Sequence, residues 1–233
     1  MKLSLLASII AIASSVSAAP LAENVVDLGG RAIVDFYDPR SRGGSLLDQS
    51  AGLGEPLNVI ISGKSSPEVL TKDGFNDFAE AIGFSEECFG IHKGDPQLSD
   101  LGDGHGPLGE MEVLRENFGN PVFGTCFETL EGGNHLRVWQ QNGPDANSGA
   151  LFLAVSQEED LGESHTISPD GYNVGRDKFV AAAVGTHRYL FTTYTTTAEK
   201  VPGLLNPGTD GINHGISQDG VVILLTVTVK SIF

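Results

Sequence analysis

The chain is poor in basic residues, cysteine and tryptophan, and the first shortage excludes whole classes of partner. Its 14 Lys and Arg residues are outnumbered by 30 Asp and Glu residues, which gives a formal net charge of −16. Because nucleic-acid backbones and anionic lipids are also negative, they repel a protein with this charge, and we expect no binding to nucleic acid. An acidic excess of this kind is typical of a solvated anionic surface that keeps a protein soluble.

Long apolar runs are also missing, and this excludes a transmembrane helix. The run at residues 3–13 is shorter than the roughly 20 residues that cross a bilayer core. It follows Lys2 and precedes the small-residue stretch Val16-Ser17-Ala18, a pattern typical of a secretory signal peptide. We therefore predict a signal at residues 1–18, cleaved after Ala18, and a secreted, extracellular protein. No Asn-x-Ser/Thr sequon occurs, so N-glycosylation is not expected.

Motifs for common catalytic and cofactor sites are absent as well. The sequence holds no G-x-S-x-G, no H-E-x-x-H and no G-x-x-x-x-G-K-[ST]. The glycine-rich stretch 102–106 lacks the strand-to-helix context of a phosphate loop. The acidic triplet 158–160 lacks the spacing of a calcium loop and is more typical of a solvated strand end. The sequence therefore predicts no cofactor and no metal site.

The two cysteines, Cys88 and Cys126, bracket a loop-rich segment. Two cysteines in an exported protein usually pair, so we predict a Cys88–Cys126 disulfide, with two free buried thiols as the alternative. Structural zinc needs four ligands and neither cysteine lies at C-x-x-C spacing, which argues against zinc. The bridge would fasten residues 90–124, and a loop of this length is often functional.

Hydrophobic periodicity predicts strands and helices that follow one another along the chain. Apolar or alternating runs indicate strands at residues 57–62, 135–140, 150–156, 164–168, 188–197 and 221–229. Helical spacing indicates helices at residues 67–83 and 172–184, and a short helix is expected at 110–118. Strands and helices in this order favour an α+β fold with a mostly antiparallel central sheet and helices packed on it.

Composition divides the predicted mature chain into an arm and one domain. Residues 19–54 are rich in turn and linker residues, which predicts an irregular N-terminal arm. A buried-strand pattern follows directly, so we expect a single α+β domain over residues 55–233. Thr226, Thr228 and Lys230 interrupt the last apolar run, which favours a core strand over a lipid-anchor signal.

Short segments of the chain occur in an order that resembles a known family. They are the His-x-Arg-x-Trp pattern in 133–139, the apolar run 149–156, Ser164-His-Thr-Ile, and the Arg-Asp pair in 175–180 that opens a helix. With the strand at 56–63, they resemble the LssY C-terminal domain family over about residues 55–190. The chain is also similar to uncharacterised exported proteins of basidiomycete fungi. It departs from the family in the single His165, where two histidines are frequent, and in the cysteine-bracketed insertion. The family has no settled activity, so the resemblance implies a fold boundary and no function.

One predicted strand carries the residues that best suit a binding site. His135, Arg137 and Trp139 alternate with Leu136 and Val138, so the three share one face of the strand. Two interpretations stay open: a partly exposed polar face with tryptophan covering an edge, or a patch that binds an anionic or sugar-like ligand. Arginine offers a planar fork to an anion, and the tryptophan ring can stack on a ligand.

A second polar group follows along the chain. His165 precedes Asp170, and Arg176-Asp177 stands at the start of a predicted helix. A histidine beside a carboxylate can act as a general base, or it can fix a turn. We predict that these residues converge with His135 and Arg137 on one site. Asp170 and Asp177 are the nearest carboxylates in sequence that would neutralise the two arginines.

Two function classes are consistent with these residues. The first, favoured because no catalytic motif is complete, is a secreted acidic module that binds a small molecule, a glycan or a protein. The second is a small secreted hydrolase that acts on esters or phosphoesters. The candidate catalytic residues are His135, His165 and Asp170, and the candidate ligand-binding residues are Arg137, Trp139 and Arg176.

Overall fold

The protein is built on one large sheet. A computed structural model describes residues 31, 33–50, 52–90, 95–163 and 166–231, and the predicted signal peptide lies outside them. The strands are Val59–Ile61 (β1), Phe84–Glu86 (β2), Leu98–Ser99 (β3), Leu108–Gly109 (β4), Glu112–Glu116 (β5), Gly133–Asn142 (β6), Asn147–Glu158 (β7), Gly185–Tyr189 (β8), Thr192–Val201 (β9) and Val222–Ser231 (β10). The α-helices are Lys72–Ala81 (α1), Gly124–Glu131 (α2) and Gly171–Ala183 (α3).

Eight strands form a mixed sheet in the order β2-β5-β6-β7-β1-β10-β9-β8. β1 and β10 pair in parallel, and the other neighbouring pairs of this sheet are antiparallel. β3 and β4 form a separate two-stranded ribbon. The predicted α+β class with a mostly antiparallel central sheet is confirmed.

Helix α1 packs on one face of the sheet through its apolar side. The helix begins where the Thr71 hydroxyl accepts a hydrogen bond from the Gly74 N–H. Phe75, Phe78 and Ala79 are then buried together, in a cluster that includes inward-facing residues of β1, β6, β7 and β10. This is the helical stripe that the sequence predicts over residues 67–83, although residues 67–70 form a separate 3-10 turn.

Helix α3 also packs on the sheet, and a glycine allows its close approach. A Cβ on Gly175 would stand only 2.4 Å from the carbonyl carbon of Ser156 in β7. The Gly175 carbonyl also accepts a hydrogen bond from the Asn134 amide, 2.9 Å away in β6. Phe179 then reaches the same apolar cluster as α1, with its ring centroid 5.2 Å from that of Phe84.

The opposite face of the sheet is covered by irregular chain. Phe36 stacks edge-on against Phe152 of β7 at 6.0 Å between centroids. Leu46, Leu204 and Leu205 join the same buried cluster, so the described part of the predicted N-terminal arm packs on the sheet. Because both faces are covered, β7 is buried almost throughout, and its long apolar run is explained.

Some local predictions are wrong. The short helix expected at 110–118 is replaced by β5, because pairing with β6 outweighs a weak local preference. The strand expected at 188–197 is a hairpin, since Leu190 turns the chain with φ of 48° between β8 and β9. The periodicity does not predict β2, α2 or the β3–β4 ribbon, which are short and held by tertiary contacts.

The predicted disulfide is confirmed. Cys88 and Cys126 are bonded, with 4.7 Å between their Cα atoms and a sequence separation of 38. The bond joins the 3-10 turn after β2 to the first turn of α2. Within the described ranges, no helix is long and apolar enough to span a membrane.

Candidate functional site

Strand β6 places the predicted trio on one face, but that face is buried. His135 is fully buried and Trp139 is 2% exposed, while Leu136 and Val138 lie on the opposite face with α1. Of the expected partly exposed polar face, only Arg137 keeps contact with solvent, with its side chain 15% exposed. The physical reason is the irregular chain over this side of the sheet, which the sequence pattern of β6 cannot show.

A buried ionic cluster surrounds His135. Its Nδ1 lies 3.2 Å from Oε1 of Glu158, the last residue of β7. The Arg115 guanidinium contacts the same Glu158 and also Glu128 of α2, each at 2.9 Å, and its Nε lies 3.3 Å from Glu87. Glu158 is thus a buried member of a charge network, which corrects the expectation of a solvated strand end for this residue.

In this cluster one cation, the Arg115 guanidinium, is shared by several carboxyl groups. Burial and the neighbouring Glu158 raise the pKa of Glu128 to about 7, although Arg115 acts in the opposite direction. Burial alone would lower the pKa of Arg115, but the carboxylates of Glu158 and Glu128 raise it. One guanidinium therefore holds several carboxyl groups, and the arrangement fastens β5, β7 and α2 to one another.

Arg137 has a different partner from the one predicted. Its Nη1 lies 3.4 Å from Glu55 Oε2, whereas Asp170 is exposed at the start of α3 and accepts a hydrogen bond from Asn173. Asp48 stands beside Glu55, whose backbone N–H donates to Asp48 Oδ1 at 2.7 Å. Burial and the Glu55 charge raise the pKa of Asp48 to about 7.

Arg176 serves the packing of α3. Its guanidinium binds Asp219 through two contacts of 2.6 and 2.9 Å and Asp177 at 2.9 Å. It also donates to the Val221 carbonyl. Asp177 is thus a confirmed partner, but the guanidinium is occupied by the loop before β10. His165 lies outside the described residues, so its role stays a prediction.

A pocket of about 150 Å³ lies at the other end of the same face, beside Trp139. Its walls come from the β3–β4 ribbon, the glycine-rich turn between these strands, and the end of β6. The lining residues are Ser99, Leu101, Asp103, Gly106, Leu108, Gly109, Met111, Trp139, Gln140 and Asn142. The base is buried and the Leu108 rim is exposed, so the pocket opens at the ribbon.

Hydrogen bonds of Asp103 tie the glycine-rich turn of the pocket to the end of β6. Its carboxylate accepts from the backbone N–H groups of Asn142, Gly143 and His105 at 2.9–3.1 Å. The turn around it needs left-handed backbone, and Gly102 supplies it with φ of 61°. The sequence shows this turn as a glycine-rich stretch, yet only the structure shows that it meets Trp139.

Two polar groups of the pocket are buried without a partner in the described part of the chain. They are the Trp139 indole N–H and the Ser99 hydroxyl, both on side chains that are 2% exposed. Buried polar groups are normally hydrogen-bonded, so both groups have a hydrogen-bonding capacity that the described part of the chain does not use. The described lining residues include no Lys or Arg.

Comparisons with known proteins identify no relative of this chain. No family model, curated protein or solved structure matches this chain. The resemblance to the LssY C-terminal domain family accordingly stays a prediction.

Proposed function

We propose that this protein is an exported binding module whose pocket beside Trp139 holds one neutral, sugar-like group. The observation that carries the proposal is the pair of unpartnered groups in the pocket, the Trp139 N–H and the Ser99 hydroxyl. A hydroxylated ligand supplies acceptors and donors to both. The predicted signal peptide, with the disulfide, supports export.

The charge of the pocket favours a neutral ligand over an anion. Asp103 is the one ionisable group among the lining residues that the structure describes, and its carboxylate already accepts backbone hydrogen bonds. The whole chain carries a net charge of −16, which disfavours an anion further. The predicted role of Arg137 as an anion fork is not supported, because Glu55 occupies it.

The size of the pocket limits what it holds. A volume of about 150 Å³ corresponds to roughly five waters at liquid density, which is the room that one small ring needs. Leu101, Leu108 and Met111 supply apolar walls, and the amides of Gln140 and Asn142 add polar groups. Such a mixture of apolar walls and a few polar groups is typical of small-molecule sites.

Fluorescence gives a direct test, because Trp139 is the single tryptophan of the chain. We expect a panel of monosaccharides and disaccharides to include a ligand that shifts the emission of the secreted protein. Ser99→Ala removes a hydroxyl that has no partner among the described residues, so we expect the fold to be retained while affinity falls roughly five- to tenfold. Calorimetry measures the affinity of both proteins.

Ser217→Ala is the matched control, because Ser217 is exposed and outside the pocket. It should bind as tightly as the wild type. The proposal is wrong if no member of the panel binds, or if the two serine variants lose affinity equally.

A second candidate function, hydrolysis of esters or phosphoesters, is favoured by the Asp48–Glu55–Arg137 cluster. A carboxyl with a pKa of about 7 can exchange protons near neutral pH, as a general acid or base must. The Arg137 side chain is 15% exposed, which connects the cluster to solvent. Turnover of nitrophenyl esters or phosphates that Asp48→Asn abolishes would support hydrolysis, and turnover equal to buffer alone would exclude it.

A further inference from the structure

Helix α2 has an unusual distribution of residues between its two sides. Phe123, Phe127 and Leu130 follow the spacing of a single helical stripe, and each is more than half exposed. The side toward the protein instead holds Thr125 and the buried carboxyl group of Glu128. The apolar stripe of α2 therefore faces outward, without a covering element in the described part of the chain. We call Phe123, Phe127 and Leu130 the apolar face of α2.

Neighbouring residues enlarge this apolar face. Phe89, which follows the disulfide residue Cys88, is 72% exposed, and its ring stacks edge-on against Phe123 at 6.2 Å. Val122 is also exposed beside it. Exposed apolar groups that are contiguous, rather than scattered, commonly mark an interaction site.

An acidic groove runs along one border of the apolar face. It encloses about 460 Å³ and is lined by residues of α1, β2 and the start of α2. Asp77, Glu80, Glu86 and Glu87 line it together with Phe89, and no Lys or Arg is among the lining residues that the structure describes. We call these four carboxylates and the space between them the acidic groove.

Negative charge is concentrated at three of these carboxylates, Asp77, Glu80 and Glu86, which lie close enough to act on one another. The fourth, Glu87, has Arg115 as a partner at 3.3 Å. Burial raises the pKa of Glu80, the Ser85 hydrogen bond opposes this, and the nearby Asp77 and Glu86 raise it further. Positive charge brought into the groove would therefore be stabilised.

We propose that the apolar face of α2 and the acidic groove together bind a cationic amphipathic segment of a partner protein. The apolar side of such a segment would cover Phe123 and Phe127, and a Lys or Arg stem would cross Phe89 and place its charge in the groove. Recognition of an amphipathic helix through apolar anchors at helical spacing is a common mode of binding. This surface is separate from the pocket beside Trp139.

Charge selects this occupant over two others. A second copy of the chain would bring two acidic grooves together, since a two-fold interface places the same patch on both sides. A lipid surface would bury the carboxylates of the groove without a counter-charge, which is costly. A cationic protein segment covers the apolar face and neutralises the groove at once.

The test uses the full chain and a synthetic helical peptide of about 14 residues, made of Leu at helical spacing and Lys elsewhere. We expect saturable binding in calorimetry. A scrambled peptide of the same composition and a peptide with Glu in place of Lys should bind at least tenfold more weakly.

Variants assign the binding to the surface. Phe123→Ser with Phe127→Ser, both at exposed positions, should weaken binding roughly tenfold or more. Asp77→Asn with Glu86→Gln should weaken it about fivefold and reduce its dependence on salt. The controls change exposed residues elsewhere: Leu53→Ser for the apolar pair, and Glu199→Gln with Asp210→Asn for the charge pair.

Each outcome decides the proposal. Loss of binding in the surface variants, with controls like the wild type, supports it. Equal binding by all variants, equal binding of the scrambled peptide, or no binding overturns it. Binding of the free chain to phosphatidylcholine vesicles, or dimerisation in sedimentation that Phe127→Ser abolishes, would overturn it in favour of a lipid or a second copy.

Discussion

Helices α1 and α2 are both amphipathic, yet they sit on the protein in opposite ways. α1 turns Phe75, Phe78 and Ala79 into the core and is held there by apolar contacts. α2 turns Phe127 outward and is held by the Glu128–Arg115 ion pair and the disulfide at Cys126. A helix can thus be fastened by a buried polar contact and a covalent bond while its apolar stripe stays available.

This difference connects the fold to the proposed binding surface. Apolar packing would have placed Phe123 and Phe127 inside, where they would bind nothing. The buried ion pair stabilises little by itself, because removing two charges from water offsets their attraction. Its effect is to set which side of α2 meets the sheet.

The largest predicted contrast compares one phenylalanine from each helix. Phe78→Ala should lower the free energy of unfolding by about 4 kcal/mol, because it leaves a cavity in the core. Phe127→Ala should change it by no more than about 0.5 kcal/mol, because the ring is already exposed. Urea unfolding measures both, and similar losses from the two would refute the outward orientation of α2.

Removal of the disulfide should have the next largest effect. We expect Cys88→Ser with Cys126→Ser to cost about 3 kcal/mol, since the bond closes a loop of 38 residues. Adding reductant to the wild type should reproduce the loss, and adding it to the variant should change nothing. Equal unfolding midpoints for wild type and variant would contradict the role of the bond in holding α2.

A smaller effect is expected in how the free energy of unfolding depends on pH. The pKa of Glu128 is about 7 in the folded chain against an ordinary 4.5, so the folded state keeps a proton that the unfolded state releases between these values. The stability that this group gives is therefore present at pH 4–5 and lost as pH rises through 7. The wild type should therefore lose free energy of unfolding between pH 5 and pH 8, on the order of 2 kcal/mol more than Glu128→Gln loses over the same range.

Glu131→Gln is the matched control for this pH dependence. It removes a carboxyl from the same helix at an exposed position, and the wild-type slope should persist. An unchanged slope in Glu128→Gln would show that this carboxyl does not govern the docking of α2.

The sequence predicts the parts of this molecule that depend on local patterns. Alternation in β6 places His135, Arg137 and Trp139 on one face, and helical spacing identifies the buried stripe of α1. It does not identify Glu55 as the partner of Arg137, because 82 residues separate them and only the fold brings them together. The outward orientation of α2 is equally hidden, since a stripe such as Phe123 and Phe127 shows that a helix is amphipathic and not which way it faces.

The central claim is that the apolar face of α2 and the acidic groove form one binding surface, and hydrogen exchange tests it most directly. The full chain is compared with and without a saturating amount of the Leu/Lys peptide. We predict slower exchange in residues 84–90 and 121–131, with no change in residues 99–109 beside the pocket or in α3. Protection that is absent from 121–131, or spread evenly over the chain, would contradict the claim.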